Sequence, residues 1–184
     1  KEEMNEIYKL YPTHGLIKKR DKVLLSLVIY QGVSSSELPL IEIKDIDLME
    51  GKIYIPAMRS SNSRTLELKP FQLMLIQDYI MNIRPKILLE ARKQSEKLLV
   101  STGQNANQLA NVISQILKRL RPLYPKLKDF KQIRQSVITI WVKEQGLRQA
   151  QYMAGHRYVS STERYNEDEK EGLKNALKSY HPLE

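Results

Sequence analysis

Two short strand-like runs interrupt a chain otherwise spaced for helices. Lys52 to Met58 and Arg64 to Leu68 read as strands joined by a polar Ser/Asn turn. On the N-terminal side, Met4, Ile7, Tyr8 and Tyr11 share one helical face within residues 1–11, and Pro12 to Gly15 reads as a loop. Val23, Leu24, Leu27 and Val28 belong to an apolar-rich helix over 17–31 that Gly32 ends. Ser34-Ser35-Ser36-Glu37 has the form of a capping box for a short helix, and Ile43 to Leu48 leads into a Glu50-Gly51 turn. On the C-terminal side, Pro70 opens a helix to about Ile83 and Pro85 starts another. A short apolar run, Leu98-Leu99-Val100-Ser101, precedes a helix over 105–120, with Leu109, Val112, Ile113, Ile116 and Leu117 on one side. Asp129 caps a strong helix over 129–144 that stops near Gly146, with Ile138, Ile140, Trp141 and Val142 as core candidates. Helices over 147–154 and 166–179 finish the chain, the last capped by Asn166 with Glu167, Asp168 and Glu169 at its positive end. The pattern predicts a mainly α domain with a small antiparallel sheet (α+β) near residues 45–68, without internal repeats.

Composition narrows the chemistry. The 184 residues suffice for one compact domain with a core, and no apolar run reaches the length of a membrane span. There is no cysteine, which excludes disulfides and cysteine-ligated zinc and suits the cytoplasm. His14, His156 and His181 lie too far apart in sequence to suggest a metal site. The formal charge of +9 is uneven: residues 51–128 carry 14 basic and 4 acidic side chains, while 1–50 carry 7 and 9. That asymmetry points to a polyanion, with nucleic acid the leading candidate.

One segment is chemically distinctive. Ala154-Gly155-His156-Arg157-Tyr158-Val159-Ser160-Ser161-Thr162-Glu163-Arg164-Tyr165 opens on a Gly-His step, runs through a Ser/Thr cluster, and places a tyrosine nine residues after the histidine. It resembles the nucleophile motif of phage-integrase-type tyrosine recombinases. Four further segments resemble that family in the right order. They are Gly32 to Leu38 followed by Lys44 to Leu48, the hairpin with Arg64 to Leu68, the Leu98 to Gly103 block with its following helix, and Lys131-Gln132-Ile133-Arg134 in place of a His-x-x-Arg.

The resemblance implies a recombinase catalytic-domain fold and a role for each matching position. Tyr165 would attack a DNA phosphate, displace a 5′-hydroxyl and leave a 3′-phosphotyrosyl link. Arg134 would neutralise the phosphorane, His156 would donate to a non-bridging oxygen, and a basic hairpin residue would protonate the leaving oxygen. Lys131 stands where the family has histidine and keeps a cationic donor, while Arg59 stands for the hairpin lysine. Arginine is a poor proton donor, because its pKa lies above about 12. Ser34 stands where the first catalytic arginine belongs, and carries no charge; locally it also fits a helix N-cap. Arg20 and Lys22, one helix earlier, are the candidates to fill that gap. Arg64, Arg157 and Lys69 are the further expected DNA contacts.

The same resemblance implies double-stranded DNA as partner, self-association as a tetramer on it, no cofactor or metal, and a bacterial cytoplasmic, nucleoid-associated location. A mobile element would be a natural source. It also implies an N-terminal DNA-clamping domain that nothing in these 184 residues resembles. Residues 166–184 would form a tail that docks on a neighbour or folds back. Three functions stay open on the sequence: a DNA-cleaving and rejoining recombinase, a recombinase-like DNA-binding protein impaired by Ser34, and a helical interaction protein.

Overall fold

A computed structural model describes residues 2–103 and 108–165. The helices are α1 (Glu2–Leu10), α2 (Leu16–Gln31), α3 (Pro70–Asp78), α4 (Arg84–Glu90), α5 (Gln108–Leu120) and α6 (Phe130–Ala154). Between α2 and α3 lie two 3-10 turns, Leu38–Leu40 and Ile43–Asp45, and a three-stranded antiparallel sheet in the order β1 (Ile46–Asp47), β2 (Lys52–Ile55), β3 (Arg64–Glu67). The mainly α architecture with one small sheet is the predicted one. Ile53 pairs with Leu66 and Ile55 with Arg64, so the buried face of the hairpin carries Ile53, Ile55, Leu66 and the Arg64 side chain.

Helix α2 is the centre of the molecule. Val23, Leu24, Leu25, Leu27 and Val28 are fully buried, and α1, α3, α4 and α6 pack around them. A helix buried on every side must also satisfy its polar groups. Asp21 accepts from Tyr11 Oη at 2.9 Å, from Arg20 Nη2 at 2.6 Å and from Arg119 Nη1 at 2.8 Å. Gln31 and Gln72 exchange hydrogen bonds of 2.8 and 3.0 Å and tie α2 to the start of α3.

Four details go beyond the sequence pattern. Ile46–Asp47 forms a third, edge strand. The helices on either side of Pro85 are continuous, because a π-helical turn, Tyr79–Ile83, carries α3 into α4. Pro85 sits in the first turn of α4 directly after that π-helical turn, whose altered hydrogen-bond spacing accommodates a residue without an N–H. Ile140 is only half-buried, whereas Ile138, Trp141 and Val142 join the core as expected. Residues 160–165 are helical, ahead of the predicted start at 166. The predicted helix 166–179 and its Asn166 cap lie outside the described residues. Among the described residues no helix is long and apolar enough to cross a membrane, and no three His, Asp or Glu side chains gather as a metal site.

Candidate active site

Glu37 organises the site. Its carboxylate is 1% exposed and accepts from Arg64 Nη1 at 2.6 Å, Arg64 Nη2 at 3.1 Å, Arg134 Nη1 at 3.3 Å and Ser61 Oγ at 3.2 Å. Burial alone would push this acid's pKa upward. The bidentate Arg64 bond, the charges of Arg64 and Arg134 and the Ser34 N–H outweigh it and hold the group down at about 2. Ser34 completes the local turn: its N–H and its hydroxyl each donate to Glu37 Oε2 at 2.8 Å, and its Oγ accepts from the Glu37 N–H at 3.3 Å. The reciprocal capping box read from the sequence is therefore present, and Ser34 spends its hydroxyl on Glu37.

Arg134 reaches this cluster from α6. Asp129 caps that helix by accepting from Gln132 N at 2.8 Å, which fixes the register one turn before Arg134. The Arg134 guanidinium donates to the carbonyls of Gly32 and Ala154, the latter at 2.6 Å, as well as to Glu37. It is thereby pinned at the C-terminal ends of two helices, where carbonyls collect negative charge. Nε–H and one Nη2–H stay without a partner among the described residues.

The segment after α6 brings in the remaining groups. Gly155 holds φ 69° as the cap of α6, and its carbonyl accepts from Asn62 N at 2.8 Å. A Cβ at Gly155 would meet Arg64 Nη1 at 2.5 Å, so only glycine lets the hairpin arginine and this turn close on each other. His156 then pairs with Ser61 as an isolated bridge. Its Nδ1 lies 2.8 Å from Thr162 Oγ1, and its ring stacks with Tyr165 at 6.2 Å between centroids and 16° between planes. Burial, followed by the charges of Arg134 and Arg64, pulls the imidazole pKa down from 6.5 to about 4. The ring is accordingly neutral at neutral pH. Tyr165 is half-buried and close enough to Arg134 to act on it electrostatically.

Ser34, Arg134, His156 and Tyr165 thus converge from three distant stretches. Arg59 is exposed two residues before Ser61, within the turn that Met58 and Ser61 close. Lys131 and Arg157 are exposed, one turn before Arg134 and directly after His156. Lys69 is exposed at the start of α3 and lines an open groove of about 1110 Å³ with Tyr8, Phe71 and Trp141; none of the Glu37 cluster lines that groove.

Two expectations need correction. Arg64 is not a surface contact: it is 2% exposed, spends Nη1 and Nη2 on Glu37, and buries an unpartnered Nε. Arg20 and Lys22 do not fill the gap left at Ser34. Arg20 is committed to Asp21 and the Val100 carbonyl, and Lys22 to the carbonyls of Tyr8 and Tyr11 under the Tyr8 ring. Both are needed where they are, to neutralise or satisfy groups buried with them. The sequence reading passed over Glu37, Thr162 and Ser61 as site residues. Glu37 was legible as half of a capping box, and Thr162 as a member of the Ser/Thr cluster.

A small sheet strapped to the Gly155-His156 turn, with arginine, histidine and tyrosine around one buried Arg–Glu pair, defines the fold as that of a tyrosine-recombinase catalytic domain. The chain belongs to the phage integrase family, whose model matches residues 1–171. It is 24% identical to tyrosine recombinase XerC of Oceanobacillus iheyensis, over 98% of this chain and 60% of that protein. It is 26% identical to tyrosine recombinase XerD of Staphylococcus saprophyticus, over 98% of this chain and 62% of that protein. The chain therefore spans about 60% of the length of these curated relatives. Among solved structures, a XerH site-specific recombinase in a post-cleavage complex with its palindromic difH substrate superposes with a TM-score of 0.71 at 19% identity, covering 97% of this chain and 51% of that one.

Proposed function

We propose that this chain is the catalytic part of a site-specific DNA recombinase or integrase that cuts and rejoins strands through a 3′-phosphotyrosyl intermediate. The observation that carries the reading is the convergence of Tyr165, His156 and Arg134 at one place, with the His156 and Tyr165 rings stacked. The likeness to a site-specific recombinase bound to a palindromic substrate in a post-cleavage complex supports double-stranded DNA as the substrate, and so does the basic middle of the chain.

In this reading Tyr165 Oη bonds to phosphorus, its proton goes to solvent, and the P–O5′ bond breaks. The Arg134 Nε–H and Nη2–H, left free by its other bonds, form a fork that fits two phosphate oxygens. His156 donates a further hydrogen bond to one of the same non-bridging oxygens. The leaving 5′-oxygen gains a proton from Lys131, because a guanidinium such as Arg59 holds its proton too tightly. Arg59 and Arg157 hold flanking phosphates, as does Lys69 further out. Assembly as a tetramer on DNA belongs to the same reading.

A nicked suicide substrate tests it, because loss of a short 5′-hydroxyl fragment traps the intermediate. The expected result is a covalent protein–DNA adduct with the native sequence and none with Tyr165→Phe, both proteins shifting the same DNA in a gel. Equal adduct from both proteins, or none from the native chain while it still binds DNA, would defeat the proposal.

A further inference from the structure

We propose that Thr162 is a positioning residue that fixes His156 as the Nε2–H tautomer, so that the ring presents a donor rather than a lone pair to a phosphate oxygen. The inference rests on the reading of the site above, but its first test needs no DNA. Thr162 is 0% exposed and sits six residues after His156 and three before Tyr165 on the helical stretch 160–165. Its hydroxyl lies 2.8 Å from His156 Nδ1 and has no other partner among the described residues.

Two orientations satisfy that distance. Either the hydroxyl donates to an unprotonated Nδ1, or Nδ1–H donates to the hydroxyl oxygen. The second leaves the buried hydroxyl proton with no acceptor among the described residues, and a buried unmet donor is costly. The first leaves nothing unmet. A neutral imidazole carries one N–H, so in the first orientation it resides on Nε2. The groups acting on the ring are Arg134, Arg64 and Arg164, which disfavour a second proton, and Glu37, which favours one. Burial and the three cations prevail, so tautomer choice rather than protonation decides what His156 offers at neutral pH. Nε2 has no partner among the described residues, which leaves its N–H available. With the other tautomer the same ring would direct a lone pair at an anion and repel it.

The test is the histidine side-chain 1H–15N correlation spectrum of the labelled chain, with the His156 signals assigned by their absence in His156→Gln. The expected native pattern is a protonated Nε2 and a bare Nδ1. Thr162→Val should give a mixture of tautomers, and Thr162→Ser should restore the native pattern. On the suicide substrate, Thr162→Val should cut adduct formation at least about tenfold with DNA affinity unchanged, and Thr162→Ser should recover it. A native Nδ1–H pattern overturns the proposal, and this measurement decides even where Thr162→Val does not fold. An unchanged tautomer and unchanged cleavage in a folded Thr162→Val overturn it too. A native Nε2–H pattern without any adduct formation would instead sink the recombinase reading and leave the role of Thr162 in place.

Discussion

At the scale of single residues, the site is a contest over one carboxylate. Glu37 draws on two guanidiniums and two serines, and Ser34 is one of them. Where the family's pattern has a charged fork, this chain has a hydroxyl already committed to Glu37. Ser34→Arg keeps the backbone N–H bond to Glu37, gives up the two hydroxyl bonds to Glu37, worth about 1 kcal/mol each, and adds a cation at the rim. A preorganised donor to a developing anion is worth roughly a hundredfold in rate or more. Adduct formation on the suicide substrate should therefore rise at least about tenfold in Ser34→Arg. An unchanged rate would mean that some other cation already serves the phosphate. The same residues set the acid response. Held at about 4 in the fold against 6.5 when unfolded, His156 takes up a proton more readily in the unfolded chain. Its share of stability is complete above about pH 6.5 and lost as the pH falls toward 4. Glu37, held at about 2, contributes fully above about pH 4.5 and loses its share as the pH falls toward 2. Urea midpoints measured from pH 8 to 3 should decline in two stages, and His156→Gln should remove the first. A flat profile down to pH 4.5 would contradict the burial of the imidazole.

At the scale of elements, α6 decides where the site closes. Gly146 interrupts it at φ 81° and ψ 166°, a conformation open in practice only to glycine. The break makes two helices out of one: the first aims Arg134 at Glu37, and the second ends at Ala154, whose carbonyl receives the Arg134 Nη2. The stop near Gly146 was readable in the sequence, and so were the Asp129 cap and both strands of the hairpin, because each follows from local backbone chemistry. The edge strand Ile46–Asp47 and the π-helical turn Tyr79–Ile83 were not, since the first exists only through pairing with Lys52–Ile53 and the second only as a way of carrying a helix past Pro85. A Cβ at Gly146 would meet nothing within 4 Å, so Gly146→Ala isolates the backbone term. It should cost about 1–3 kcal/mol in urea unfolding. A cost under about 0.5 kcal/mol would show that the two halves of α6 join without strain.

At the scale of the whole molecule, charge and burial sort the arginines in a way that sequence alone does not. Composition places the excess positive charge in residues 51–128, but it cannot tell which of those side chains meet solvent. Arg59 is exposed beside the site, whereas Arg64, five residues on, is sealed against Glu37 because β3 turns alternate side chains inward. Arg20 looked available in the sequence too, but it lies on the buried helix α2 and is spent on Asp21 beside it. The two classes should separate in DNA binding. Affinity that comes from phosphate contacts falls by roughly 0.9 logarithmic unit per neutralised phosphate for each tenfold rise in salt. Gel shifts from 50 to 300 mM salt should give a steep linear slope for the native chain. Arg59→Ala and Arg157→Ala should each reduce that slope by about one contact, with the urea midpoint unchanged. Arg64→Ala should act the other way round, lowering the midpoint by the equivalent of about 3–5 kcal/mol because it strands the Glu37 carboxylate without its bidentate partner. If Arg64→Ala were to leave stability intact and flatten the salt dependence instead, the buried Arg64–Glu37 pair would not be what holds the hairpin to the rest of the site.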